Sequence, residues 1–209
     1  MNQRTYTGTI KGQSVRITSG DLRRFRNALL GHTDLTARMS ELIWLDIYIL
    51  NIHFGVSPLD IIAAIDDVEN GSTVTGTKPP SQFKNLPLMG LWHKHFFSAH
   101  FMLTNINLAL GNHGLEKIAA KVFDPAISPV FTKEAIRAFA NRIARDPFDQ
   151  RAAAQKLTGE WIIYLSHAGQ NYYLACNTHD AGDQFIYDRI IQNCVHDFPD
   201  LEAWIRAQR

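Results

Sequence analysis

The shortages in this sequence narrow its chemistry before any motif does. It holds only two cysteines, Cys176 and Cys194, in 209 residues. Neither has a Cys-x-x-Cys partner, and two thiols alone cannot complete a structural zinc site. Both read as small buried hydrophobes in a reducing, cytoplasmic compartment. Charge of either sign is not in excess: 21 basic residues oppose 20 acidic ones. A protein that wraps nucleic acid broadly needs a cation for each phosphate it neutralises, so an architectural nucleic-acid binder is disfavoured. An enzyme that grips a few phosphates is not.

Long apolar runs are also missing. The best of them, Leu42–Phe54, is broken by Asp46, Asn51 and His53, whereas a bilayer-spanning helix needs about 20 apolar residues. The N-terminal MNQRTYTGTIKG has no apolar core of a secretory signal. The expectation is a protein with no membrane association. There is no Walker loop, GxGxxG, GxSxG or kinase signature, which removes most nucleotide-driven and serine-hydrolase readings. No internal repeat or low-complexity tract divides the chain.

What is present predicts a helix-rich α+β single domain over 1–209, with a small antiparallel sheet built from an N-terminal and a C-terminal hairpin. Alternation through Tyr6, Gly8 and Ile10, then Val15 and Ile17 beyond Lys11-Gly12-Gln13, predicts the first hairpin. Thr18-Ser19-Gly20-Asp21 reads as a helix start, and Thr33-Asp34 as the start of a helix running to about His53. That helix is apolar almost all round, which predicts a central position. Residues 71–90, with three glycines and three prolines, read as a long loop, either functional or a connector. Trp92, Phe96, Ala99, Leu103, Ile106 and Leu110 recur at helical spacing and predict a helix over 91–110. Further helices are expected at 115–122, 133–146 and 152–157, and from Phe185 and Pro199 onward.

The C-terminal hairpin is the clearest strand signal. EWIIYLSH and NYYLACNTH flank a turn at Ala168-Gly169-Gln170. Strict alternation places Trp161, Ile163, Leu165, Tyr172, Leu174 and Cys176 on a core face. It places Ile162, Tyr164, Ser166, Asn171, Tyr173, Ala175, Asn177 and His179 on a polar, amphipathic face.

Two segments carry candidate chemistry. His93-Lys94-His95, with His100 five residues on, gathers three of the nine histidines. Asn177-Thr178-His179-Asp180 leaves the hairpin, with Asp180 read as a helix cap. Histidine's ordinary pKa lies near 6.5, so one imidazole can take and another give a proton at cellular pH. Cleaving RNA through its own 2′-hydroxyl needs a base, an acid and a cation for the developing phosphorane charge. The sequence therefore points to a metal-independent phosphodiesterase, a toxin-like ribonuclease with His93, His95 and His179 as proton-transfer residues. Lys94, His100, Tyr164, Tyr173 and Asn177 are the expected substrate contacts, and no cofactor is called for. RNA is the expected partner on this reading. Two alternatives stay open: a non-enzymatic protein that binds or inhibits a protein partner, and a metal-dependent hydrolase with a His-x-His site. A helical 91–110 weighs against the metal, because His93 and His95 would then sit about 200° apart.

Overall fold

The computed structural model describes residues 3–97, 110–122, 133–146, 160–178 and 181–209. Strands β1 (Thr5–Ile10) and β2 (Gln13–Thr18) form the first hairpin. Lys11 and Gly12 turn it with positive φ of 49° and 78°, the backbone that a two-residue turn needs to match strand twist. Helix α1 (Ser19–Leu29) starts where Thr18 and Asp21 cap each other reciprocally. Then come α2 (Asp34–Ala37), α3 (Glu41–Phe54) and α4 (Pro58–Asn70). Strands β3 (Ser81–Gln82) and β4 (Trp92–His95) follow. Helices α5 (Gly114–Val122) and α6 (Lys133–Ala140) come next, α6 running on into a π-helical turn over Asn141–Arg145. Strands β5 (Trp161–His167) and β6 (Gln170–Asn177) precede α7 (Asp183–Cys194) and α8 (Leu201–Ala207). None of the described helices is long and apolar enough to cross a membrane.

The helix-rich α+β class holds, but the two hairpins do not share a sheet. Among the described residues β1 and β2 form a two-stranded ribbon of their own, and β3-β4-β5-β6 form an antiparallel four-stranded sheet. Three expectations are corrected by that sheet. Residues 92–95 are extended, not helical, because they pair with β3 on one side and β5 on the other. Cross-strand pairing there overrides the apolar spacing that suggested a helix. The expected helix from Thr33 to His53 is broken at residues 38–40, which leave the helical path to bond with β6. The 71–90 segment is not wholly irregular, since it contributes β3. The short helix expected at 152–157, like most of 98–110, lies outside the described residues.

The hairpin parity is corrected too. β5 and β6 stay in register from His167↔Gln170 to Tyr164↔Tyr173, then resume at Ile163↔Ala175. Leu174 is therefore an extra residue, and a β-bulge shifts everything beyond it to the opposite face. Residues directly opposite share a face. Asn177 and Ala175 thus join Trp161 and Ile163, while Cys176 joins Ile162. Neither face is solvated: Ile162, Ile163, Tyr173, Leu174 and Ala175 are all fully buried. The N-terminal half of α3, Leu42–Ile47, is buried throughout, as an all-round apolar helix requires.

One face of the sheet is closed by carboxylates from the C-terminal end of α4. Glu69 accepts from the Tyr173 hydroxyl at 2.7 Å and from Asn171 at 3.1 Å, and pairs with Arg38 at 2.6 Å. Burial pushes the Glu69 carboxyl up, but the hydrogen bonds from Arg38, Tyr173 and Asn171 outweigh it and hold it below its ordinary 4.5. A carboxylate with a lowered folded-state pKa adds stability above its ordinary pKa, and that stability is lost as pH falls toward the folded-state value. The urea midpoint should accordingly fall between about pH 6 and about pH 3. Glu69→Gln should cost about 2 kcal/mol at the upper pH and flatten the decline. An unchanged pH slope in the variant would show that Glu69 is not the titrating group.

Candidate active site

β4 is short, but its extended backbone settles where its side chains go. Alternation sends Trp92 and Lys94 to one face of the sheet and His93 and His95 to the other. The register agrees, since Trp92 lies opposite Tyr164 and His95 opposite Trp161. His93 and His95 are therefore neighbours, with ring centroids 5.6 Å apart in an edge-to-face arrangement. His95 is buried at 6% exposure, and His93 is half-buried. From β3, directly opposite His93, Ser81 places its hydroxyl 3.1 Å from His93 Nε2. That contact orients the imidazole, as a hydrogen bond to one ring nitrogen does.

Aromatic rings flank the pair. Phe83 lies 4.6 Å from His93 between centroids, and Trp161 lies 5.1 Å from it. Phe83 and Trp161 meet edge-to-face at 5.3 Å. Asn177 sits opposite Trp161 on the same face, with Oδ1 accepting from Arg189 at 3.3 Å. Arg189 in turn pairs with the buried Asp46, whose other oxygen accepts from the Cys176 N–H at 2.9 Å. Burial pushes the Asp46 carboxyl up, and Arg189 and the Cys176 N–H oppose that only in part. The Asn177 amide nitrogen is buried and has no hydrogen-bond partner among the described residues. A buried donor of this kind has a desolvation cost that a ligand acceptor would offset.

The remaining expected site residues fall elsewhere. Lys94 is fully buried on the opposite face, with Nζ 3.5 Å from Asp67 Oδ2 and donating to the Lys78 carbonyl at 3.1 Å. Burial pushes the Lys94 ammonium down, against the attraction of Asp67. Asp67 also accepts from Ser72, from the Val74 and Thr75 amides, and from the Thr75 hydroxyl. Lys94 and Asp67 thus pin the 71–80 segment to the sheet, on the face opposite His93 and His95. Tyr164 and Tyr173, at 4% and 0% exposure, belong to that same inner face. Tyr164 stacks on Trp92, and Tyr173 holds Glu69, so neither is placed as a substrate contact. His100 and His179 lie outside the described residues.

Sequence reasoning missed Ser81 and Phe83, because a two-residue strand inside a Gly/Pro-rich segment carries no periodic signal. It named Trp161 only as core. Two imidazoles on one extended face also form a geometry in which a metal can be held. Among the described residues no group of three or more His, Cys, Asp or Glu side chains could hold an ion.

The opposite placements of Lys94 and His93 have distinct energetic consequences. Lys94→Ala removes one partner of a buried pair and leaves a void, and should cost about 3–5 kcal/mol. His93→Ala, at a half-buried position, should cost about 1 kcal/mol. Urea unfolding of both variants checks this, and a Lys94 variant within about 0.5 kcal/mol of the parent would contradict the buried pair.

No family model, curated protein or solved structure matches the chain.

Proposed function

We propose that the chain is a metal-independent phosphodiesterase acting on RNA, with His93 and His95 as its proton-transfer pair. The observation that carries this reading is the placement of the two imidazoles side by side on one face of β4, 5.6 Å apart between centroids. One imidazole takes the proton of a ribose 2′-hydroxyl as that oxygen attacks phosphorus. The other gives a proton to the departing 5′-oxygen, so the P–O5′ bond breaks as the P–O2′ bond forms. The products are a 2′,3′-cyclic phosphate and a free 5′-hydroxyl. Acid–base catalysis of this kind contributes about 10²–10⁴-fold to rate.

The surroundings favour a nucleotide over a smaller phosphodiester. Phe83 and Trp161 offer aromatic rings beside the imidazoles, and base–aromatic stacking is worth about 1–3 kcal/mol per base. Asn177 offers a buried amide donor on the same face. Lys94 has no part in the reaction, because its ammonium is committed to Asp67. His179, two residues beyond Asn177, stays with the proposal as a third proton-transfer residue.

A metal-dependent hydrolase is the second reading, favoured by the extended His-x-His that the sheet imposes. A fluorogenic oligoribonucleotide separates the two. The proposal expects cleavage insensitive to chelator, a cyclic-phosphate product, no cleavage of the all-deoxy analogue, and a loss of about 10²–10⁴-fold in His93→Ala and His95→Ala. Full activity in both variants would sink the catalytic reading. Activity abolished by chelator and restored by zinc would transfer it to the metal.

A further inference from the structure

A second site lies away from the histidine face. A cleft of about 710 Å3 opens between α1, the start of α3 and the residues after α7. That volume falls in the range of small-ligand sites, about 300–1,000 Å3. Its inner wall is apolar, with Leu22, Met39 and Trp44 at 2%, 5% and 2% exposure. Arg23, Arg26, His32 and His196 also line the cleft.

The charge in the cleft is not balanced. Its two acids are already engaged. Glu41 Oε1 accepts from Tyr6 and Ser19, each at 2.8 Å, and meets Arg4 Nε at 3.1 Å. Asp197 uses one oxygen for Arg4 at 2.9 Å and the other for the Glu41 N–H at 2.8 Å. Arg4 is held between these carboxylates, and it also donates to the Asn193 carbonyl at 3.1 Å. Arg23 and Arg26 make no ion pair among the described residues. They are three residues apart on α1, so they share a helix face. A planar guanidinium fork matches the oxygens of a phosphate or a carboxylate in bidentate fashion.

We propose that this cleft binds a small organic phosphate, with its phosphate at Arg23 and Arg26 and its organic body within the cleft beside them. The Arg4–Glu41–Asp197 cluster sets one cation against two carboxylates and carries a net charge of −1, and Arg23 and Arg26 bring the arginines and acids of the cleft to +1. The site stands independently of the RNA-cleavage reading and shares no residue with it.

Isothermal titration of the full chain with adenosine 5′-monophosphate tests the proposal, with phenyl phosphate, adenosine and inorganic phosphate titrated separately. The nucleotide or phenyl phosphate should bind at least tenfold more tightly than adenosine or phosphate alone. Arg23→Gln/Arg26→Gln should weaken that binding at least tenfold while the chain stays folded, because Arg23 is exposed and the half-buried Arg26 makes no ion pair among the described residues. Arg16→Gln, outside the cleft, should bind as the parent does. No binding of either organic phosphate overturns the proposal. So does equal binding by the double variant, or by adenosine or inorganic phosphate alone. The double variant also separates the two sites, since full-strength binding retained there would relocate the phosphate away from the cleft.

Discussion

The outer edge of β6 would present unpaired backbone groups to whatever lies beside it, and residues 38–46 answer that demand. The Tyr173 amide donates to the Arg38 carbonyl at 2.8 Å, and the Ser40 amide donates back to Tyr173 at 2.9 Å. The Leu174 carbonyl accepts from the Ser40 hydroxyl at 2.6 Å and from the Cys194 thiol at 3.4 Å. The Cys176 amide finds the Asp46 carboxylate. Buried backbone groups must be paired, and exposed strand edges invite pairing with other chains. Much of the rest follows from this closure. It breaks the first long helix at Arg38, sets α3 along the sheet, and brings Arg38 to Glu69.

The bulge at Leu174 belongs to the same arrangement. An extra residue takes its carbonyl out of the β5–β6 ladder and leaves it for Ser40 and Cys194. It also reverses the faces beyond it, which carries Asn177 to the side of Trp161 and His95. Backbone satisfaction at one edge and the composition of the candidate site are thus linked through a single inserted residue. Buried charge does parallel work on the inner face. Asp67 and Glu69 leave the end of α4 only two residues apart, one holding Lys94 and the 71–80 segment, the other holding Arg38 and Tyr173. Pairs of this kind give specificity of placement at a desolvation cost, so breaking one is expensive while the intact pair adds little net stability.

Local signals in the chain were readable where a local cause sets the structure. Thr18 and Asp21 cap α1 because a hydroxyl and a carboxylate at that spacing reach each other's backbone. Ala168-Gly169 turns the second hairpin, with φ of 49° and 76°. The His93–Lys94–His95 cluster was legible as candidate chemistry, but its geometry was not. Its apolar neighbours Trp92 and Phe96 fit a helical spacing as well as the end of a buried strand, and four residues are too few for period alone to decide. Ser81 and Phe83 were invisible for a related reason, since a two-residue strand exists only through its partner.

By itself the sequence determined the α+β class, the two hairpins, the helix caps and the central apolar helix, because propensity, capping and periodicity act over a few neighbouring residues. The tertiary structure alone decided that residues 92–95 are extended, that Lys94 turns inward while His93 and His95 stand together, and that Asn177 joins them. It alone gathered Arg23 and Arg26 with Trp44 and His196 around one cleft. Those outcomes depend on hydrogen bonds and burial between segments far apart in the chain, such as His95 with Trp161 and Ser40 with Leu174, and no local pattern encodes which distant segment will supply the partner.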